Sequence, residues 1–488
     1  MSELLSALRQ IVGDAHVLVP QGLDDPDFIR QQTDWRGRYK GWAKAIVRPA
    51  STDQVSGVVK LCAQHGASIV PQGGHTGLVG GGVPDASGQQ IVLSLQGMNR
   101  VLAIDADNLS MTVEAGCLLA DVQAAADQAG LLFPLSLASE GSCTIGGNLA
   151  SNAGGTQVLR YGMARELCLG LEAVSAQGEV WHGLKGLRKD NTGYDLRDLL
   201  IGSEGTLGII TAACLRLYPK PATRLAALAA CDTIEQALSL LALARRQLDA
   251  CLTGFELMQA HPVSLALRHL PDQAKVVQAL MTPNQAGPQE ASAPPTWTVL
   301  LDAAGPHAQS ILQQQLEALL SQATDEGLIR QACIAQSDTQ YRAMWALREA
   351  IPLAEKAEGL MVKHDIAVPT SKVPAFLHEA GSALQATFPG CRIVCFGHLG
   401  DGNLHYNVQG PAGIDDKAFL AAHEHTVNTL VYDVALALGG TISAEHGIGQ
   451  LKRDELGARQ SPIATTWMRA IKQALDPQGT LNPGRLVP

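Results

Sequence analysis

Between residues 43 and 219 the chain alternates two hydrophobic rhythms. The runs AKAIVRPA (43–50), ASIVPQGG (67–74), QQIVLSLQG (89–97) and MTVEAG (111–116) are short, apolar and rich in β-branched residues, which predicts strands. Between them, STDQVSGVVKLCAQHG (51–66) and LADVQAAADQAG (119–130) space their apolar residues at helical intervals. Each opens near a Ser, Thr or Asp able to cap a helix. This alternation predicts a sizeable α+β domain. The amino-terminal stretch MSELLSALRQIVGDAHVLVP is amphipathic as well.

The pattern breaks at LRLYPKPATR, where Pro219 and Pro221 flank one lysine after an apolar strand. A stiff extended element of this kind marks a domain exit. TPNQAGPQEASAPPT (282–296) reads as a surface loop inside a second domain, and TTWMRAIKQALDP near the end as a helix. No fixed-period repeat is present. The organisation expected is one domain over 1–220, a second α+β domain over 221–450, and a helical segment, 451–488, that returns to the first.

Composition narrows the function classes. The 488 residues carry a net charge of −10 and no basic run, which argues against a general affinity for nucleic acid. No stretch approaches the ~18 apolar residues of a membrane span, and the amino terminus lacks a basic region followed by an apolar one. The ten cysteines form no CxxC pair, as expected of buried thiols in a reducing compartment. The chain reads as soluble and cytoplasmic.

Its 49 glycines are clustered. In Pro71-Gln72-Gly73-Gly74-His75-Thr76-Gly77-Leu78-Val79-Gly80-Gly81-Gly82-Val83-Pro84, six of fourteen residues are glycine, directly after a predicted strand. Such a loop either cradles a pyrophosphate with backbone N–H groups or is a mobile hairpin connection. Two further segments, GSCTIGGNLASNAGG (141–155) and GSEGTLGII (202–210), combine small residues with amides and hydroxyls suited to a cofactor lying along the backbone. Neither a Walker A pattern nor a GxGxxG opening a helix is present, so ATP and a Rossmann-bound nicotinamide lose ground.

In order and spacing these three segments, together with the LNPGRL ending, resemble the FAD domain of the vanillyl-alcohol oxidase and p-cresol methylhydroxylase flavoproteins. The resemblance implies an α+β chain with a two-part FAD-binding domain and an α+β substrate (cap) domain built on an antiparallel sheet. It implies FAD contacts at Pro71, Gly73, Gly74, His75, Thr76, Gly77, Leu78, Gly141, Thr144, Gly146, Gly147, Asn148, Ser151, Asn152, Gly154, Glu204, Gly208, Ile209 and Asn482. Some members attach FAD covalently through a histidine after paired glycines, as His75 stands here. Non-covalent binding, with His75 against phosphate or ribose, is the expectation.

The second domain holds CRIVCFGHLGDGNLHYNV (391–408), two apolar runs around an Asp-Gly pair. A two-residue turn at Asp401-Gly402 predicts a hairpin in which His398 faces His405 and Phe396 faces Asn407. Opposed imidazoles about 4.5–5.5 Å apart at Cβ either share a metal or are structural. Downstream, TISAEHGIG offers Glu445 and His446. His423 and His425 in AAHEHTVN read as an exposed helical pair. Arg348, on a helical pattern, is either a carboxylate clamp or half of a surface ion pair with a neighbouring Glu.

GHLGDGNLHYNV and ISAEHGIGQLKR resemble the metal-dependent D-2-hydroxy-acid dehydrogenases. That resemblance implies a divalent metal, zinc favoured, on His398, His405 and Glu445, with His446 as general base. It also implies Arg348, Lys363 and Asn407 around the substrate. Where the branch has a threonine four residues after the arginine, this chain has Pro352. The implied reaction is oxidation of D-2-hydroxyglutarate, or alternatively D-lactate or another D-2-hydroxy acid, with hydride passing to flavin N5. An electron-transfer flavoprotein or a quinone is the implied acceptor, and a homodimer the implied assembly. The competing readings are an FAD oxidase of alcohols and a non-catalytic flavin subunit of a glycolate oxidase-like complex.

Overall fold

A computed structural model of the chain describes residues 3–22, 25–269, 271 and 296–488. The Pro- and Gln-rich segment expected as a loop lies outside the described residues, apart from Thr296. The chain forms two compact units. The first comprises Met1–Gly155, Gly162–Lys220 and Glu445–Pro488, and the second Thr156–Tyr161 and Pro221–Ala444. The crossing at Lys220 and Pro221 falls between the two prolines. Residues 445–450, placed from sequence in the second domain, belong to the first unit, whereas 156–161 belong to the second.

In the first unit Ile91–Ser94 runs parallel to Ala45–Val47 on one side and Ile69–Gln72 on the other, and Val17–Leu18 adds an antiparallel edge. The central strands are buried almost throughout, because a parallel sheet is covered on both faces. The Ser51 hydroxyl caps helix Thr52–Gln64 by accepting from Gln54 N at 3.2 Å. The helix buries Val55, Val58, Val59 and Cys62 on one stripe. Helix Leu119–Gln128 starts without a side-chain cap; its polar signal, Asp121, sits in the first turn. There the carboxylate interacts favourably with the helix dipole instead. A second sheet is antiparallel, ordered Val101–Asp105, Ser110–Glu114, Ile209–Arg216, Cys168–Val174, Val180–Gly183. The first glycine segment therefore leaves the carboxyl end of a parallel strand, and the third leads into a buried antiparallel one.

The second unit is built on seven antiparallel strands. Their order is Gln331–Ile334, Thr223–Cys231, Trp297–Gly305, Leu252–Gln259, Arg392–His398, Asn403–Gln409, Asp365–Ala367. Alternate residues of one strand feed two cores. Leu225, Ala227, Ala229 and Cys231 pack with helices Ile234–Leu248, Gln309–Asp325, Val373–Thr387 and Asp416–Ala437. Ala226 and Leu228 pack against helices Ala260–His269 and Asp338–Glu358. Because both faces are covered, Trp297–Gly305 is buried at every position. Among the described residues no helix is long and apolar enough to cross a membrane.

Candidate active site

In the first unit the three glycine segments line one cleft. Pro71, Gly73, Gly74, His75, Thr76, Gly77, Thr144, Gly146, Gly147, Asn148, Ser151, Glu204, Gly208 and Ile209 all contribute to its wall. Leu78, Gly141, Asn152, Gly154 and Asn482 lie off that lining; Gln72, within the first segment, and Asp34 and Leu95, which no motif marked, lie on it. The first two segments touch backbone to backbone. A Cβ on Gly74 would sit 2.0 Å from Ser142 O, and one on Gly73 would sit 2.3 Å from Thr144 Oγ1. Thr144 Oγ1 is buried yet has no hydrogen-bond partner among the described residues, although its residue lines the cleft. A buried hydroxyl left unpaired costs roughly 1–3 kcal/mol. A polar ligand bound along this wall would remove that cost, so the residues present fit a dinucleotide.

His75 adopts the left-handed conformation with φ 58°. Its Nε2 lies 2.7 Å from Thr33 O, and its Nδ1 lies 3.0 Å from Gln72 Nε2. A carbonyl can only accept, so Nε2 carries the proton. Burial lowers the His75 pKa, opposed by the Thr33 hydrogen bond and the Asp34 charge. Nε2 is thus engaged by Thr33 O, while Gln72 Nε2 beside Nδ1 also lies 2.9 Å from Gln31 O and from Gly82 O.

Glu204, also at positive φ, clamps the glycine turn after His446: its oxygens accept from Ile448 N at 2.7 Å and Gly449 N at 2.8 Å. Burial raises its pKa while those two backbone donors lower it. Asn482 donates to Gly81 O and Glu204 O, tying the first and third segments from behind. Asn152 accepts from Arg165 N, and Gly146 packs on Ala115, so both shape the wall's support. Glu445 Oε1 accepts from Gly155 N at 2.6 Å, against Gly154. His446 faces the same cleft as the glycine segments.

In the second unit the hairpin differs from its expected register. His398 pairs with Asn403, and Phe396 with His405, so the connection is the four residues Leu399–Gly402. Leu399 is fully buried, Gly400 N donates to Phe255 O, and Gly402 takes φ 84°. Burying Leu399 and docking Gly400 on the neighbouring strand requires the longer loop. The slip is two residues, which preserves the faces, as a one-residue slip would not. His398 and His405 remain on one face with ring centroids 5.7 Å apart. Asn407 pairs with Val394 instead of Phe396. Asp365, which sequence reasoning did not single out, stands directly opposite His405. His423 is not exposed as expected; it is half-buried against Phe388 and Phe419, and only His425 is exposed.

Two buried carboxylates organise the remaining residues. Glu256, on strand Leu252–Gln259, is 1% exposed. Its Oε1 lies 2.7 Å from His398 Nδ1 and its Oε2 2.8 Å from Arg348 Nε. Burial pushes its pKa up, but the charges of His398 and Arg348 and their hydrogen bonds hold it below the ordinary value. Arg348 is buried and stacks over Phe396 with its guanidinium carbon 4.7 Å from the ring centroid. Glu355, one to two helical turns beyond Arg348 and also 1% exposed, accepts from Lys363 Nζ at 2.9 Å and Asn407 Nδ2 at 2.6 Å. Arg348 is thus neither on the surface nor paired with a neighbouring Glu. Pro352 lies between them inside helix Asp338–Glu358 and offers no hydroxyl.

Comparison with known proteins gives a consistent result. A family model described as "FAD linked oxidases, C-terminal domain" matches residues 220–486, and one described as "FAD binding domain" matches 43–183. A Bos taurus protein named D-2-hydroxyglutarate dehydrogenase, mitochondrial, is 36% identical over 99% of this chain and 83% of its own. A Xanthomonas citri pv. viticola protein named D-2-hydroxyglutarate dehydrogenase is 38% identical over 94% of this chain and 92% of its own. Among solved structures, p-cresol methylhydroxylase with substrate bound is similar with a TM-score of 0.74 at 18% identity, covering 99% of this chain and 96% of that one. An alkyldihydroxyacetonephosphate synthase is similar with a TM-score of 0.71 at 17% identity, covering 99% and 84%. At such identities these structures speak to fold alone, and they share the two-domain arrangement of mixed helices and antiparallel sheets.

Proposed function

Because the chain belongs to the FAD-linked oxidase family, in the group of its D-2-hydroxyglutarate dehydrogenase relatives, we propose that it is an FAD-dependent dehydrogenase that oxidises D-2-hydroxyglutarate to 2-oxoglutarate. The observation that carries the reading is the joining of Arg348 to His398 through one buried carboxylate, Glu256. An anion-binding guanidinium and an imidazole oriented through its Nδ1 are what a hydroxy diacid with a metal-held head requires.

When bound, FAD supplies the acceptor for the C2 hydrogen, and a divalent metal supplies a Lewis acid at the 2-hydroxyl and 1-carboxylate. The chain's residues do the rest. His398, His405 and Glu445 would hold the metal. Support for Glu445 comes from the resemblance of ISAEHGIGQLKR to the metal-dependent D-2-hydroxy-acid dehydrogenases. His446 takes the hydroxyl proton, a task suited to an imidazole near neutral pH. Arg348 and Lys363 bind the far carboxylate and Asn407 helps to position it, while Glu355 sets the geometry of the latter two. Zinc is the proposed metal, since two imidazoles and one carboxylate suit it, though the same set accommodates manganese, cobalt or iron.

FAD is proposed to be non-covalent, because His75 Nε2 is already engaged by Thr33 O. The electron acceptor is proposed to be an electron-transfer flavoprotein or a quinone, and the assembly a homodimer. Cytoplasmic residence is proposed on the thiols, which are free and mostly buried. One observation favours a second reading, D-lactate or another D-2-hydroxy acid: Pro352 removes a hydroxyl donor expected near a five-carbon diacid.

The test is dye-linked reduction by the purified protein with D-2-hydroxyglutarate, D-lactate, D-malate and glycolate, before and after chelation. Preference for D-2-hydroxyglutarate, abolished by chelation and restored by zinc, is the expected result. Preference for D-lactate would move the second reading forward. Activity indifferent to chelation would remove the metal from the account.

A further inference from the structure

The sheet places Glu256 directly across from His398: the two residues are Cα partners in adjacent antiparallel strands. On the other side of the same hairpin strand, His398 pairs with Asn403. The imidazole is therefore fixed by backbone pairing on both flanks, and its orientation about χ is set by what Nδ1 meets. It meets Glu256 Oε1 at 2.7 Å. The other oxygen of that carboxylate meets Arg348 Nε at 2.8 Å. Both carboxylate oxygens are spoken for, one by each group, in a region where the carboxylate side chain is 1% exposed and the other two are 7% exposed.

We infer that Glu256 is the positioning residue of the site: one carboxylate sets both the tautomer of a metal-holding histidine and the aim of the substrate-binding arginine. This inference rests on the reading above, in which His398 holds metal and Arg348 holds the substrate's far carboxylate.

The chemistry is specific to a carboxylate. An acceptor-only group at Nδ1 forces the proton onto that nitrogen and leaves the Nε2 lone pair for a metal. The same acceptor-only group at Arg348 takes the Nε–H. Stacking on Phe396 then holds the guanidinium plane, so its remaining N–H donors project in a fixed fork. A neutral amide cannot do both. Glutamine has one acceptor oxygen and one NH₂ donor, and arginine is unable to accept. In Glu256→Gln the amide oxygen must therefore stay with Arg348, and the NH₂ turns to His398. The imidazole answers by accepting at Nδ1, which moves its proton to Nε2, the nitrogen a metal needs. The substitution is close to isosteric, so it perturbs packing little while reversing one tautomer.

The expectation is a loss of metal affinity of about 10- to 100-fold, the usual consequence of removing a carboxylate behind a ligating histidine. The test uses the full-length FAD-loaded protein. Zinc affinity is measured by competition with a chromogenic chelator for the wild type, Glu256→Gln, Glu256→Asp and His405→Ala. KM and kcat for D-2-hydroxyglutarate are measured separately at saturating zinc. Glu256→Gln should bind zinc 10- to 100-fold more weakly and, once zinc is saturating, show a raised KM with flavin content unchanged. Glu256→Asp, which keeps the acceptor-only character at a longer reach, should recover part of the affinity, and it serves in place of the glutamine variant if that one fails to fold. Wild-type zinc affinity and KM in Glu256→Gln, with only a lower melting temperature, would make Glu256 a structural ion-pair partner and overturn the inference while leaving the metal reading intact. A wild type that binds no stoichiometric zinc, or a His405→Ala variant that binds it as well as wild type, would instead overturn the metal reading and the inference with it.

Discussion

Asp302 is a buried carboxylate that the proposed chemistry does not use, and it gives a stability prediction with a defined sign. It lies on the central strand Trp297–Gly305, is 1% exposed, and accepts from Tyr341 Oη at 3.2 Å and 3.3 Å. Burial pushes its pKa up from 3.8 to about 6, against the pull of the Arg224 charge and the hydrogen bond from Tyr341, and with a further push from Glu256. A carboxyl whose folded pKa exceeds its unfolded value binds more protons in the folded state between those two values. Stability therefore falls as pH rises through that window. Compared with a side chain that never ionises, Asp302 costs about 1 kcal/mol at pH 4.5 and about 3 kcal/mol above pH 7. Asp302→Asn keeps an acceptor for Tyr341 and removes the charge. The stability of the variant relative to wild type should thus rise by about 2 kcal/mol between pH 4.5 and pH 7.5. For a unit of this size that is a shift of roughly 4–8 °C in the difference between their melting temperatures. Differential scanning fluorimetry across the range reads it directly. A difference independent of pH, or one that shrinks toward neutral pH, would refute the reasoning, because it would mean that Asp302 is ionised with little penalty in the fold.

Two further substitutions probe the two units separately. Gly74→Ala would place a Cβ 2.0 Å from Ser142 O, a contact that only backbone movement relieves, so the purified variant should lack flavin absorbance, whereas acid precipitation of wild type should release all of its flavin. Lys363→Met leaves the Glu355 carboxylate buried with Asn407 as its remaining hydrogen-bond partner among the described residues, which should destabilise the protein by about 3–5 kcal/mol. Adding Glu355→Gln should restore most of that stability without restoring KM for a dicarboxylic substrate; recovery of both would show that Lys363 acts only on its ion pair.

Much of the fold was legible because its signals are local. The alternation of β-branched runs with helical stretches gave the parallel strands at 45–47, 69–72 and 91–94 and the helix capped by Ser51. The glycine segments were legible for a related reason: backbone that must approach other backbone cannot carry a side chain, and Gly74 does so against Ser142 O. The hairpin shows where local signals stop. Asp-Gly favours a two-residue turn, yet the burial of Leu399 and the bond from Gly400 N to Phe255 O, a residue far away in sequence, select a four-residue loop. The face of each histidine survived only because the slip was even.

The residues that sequence did not reveal share one property: their roles depend on partners from distant parts of the chain. Glu256 sits in LTGFELMQ, where a lone carboxylate in an apolar run gives no hint of what opposes it, and its partners are 92 and 142 residues away. Glu355 lies in LAEKAE, a string that reads as a solvated helix face, yet it is almost fully buried beneath Lys363 and Asn407. Groups that meet a reactant cluster in short motifs, because a loop or hairpin must deliver several of them to one point. Groups that hold those residues in place face no such constraint; any strand or helix that packs behind them serves. A carboxylate buried without a partner would cost several kcal/mol, so each one found in a core implies a cation or donor beside it. In this chain that rule leads from Glu256 to Arg348 and His398 and from Glu355 to Lys363 and Asn407, four of the residues that the motifs had marked for chemistry.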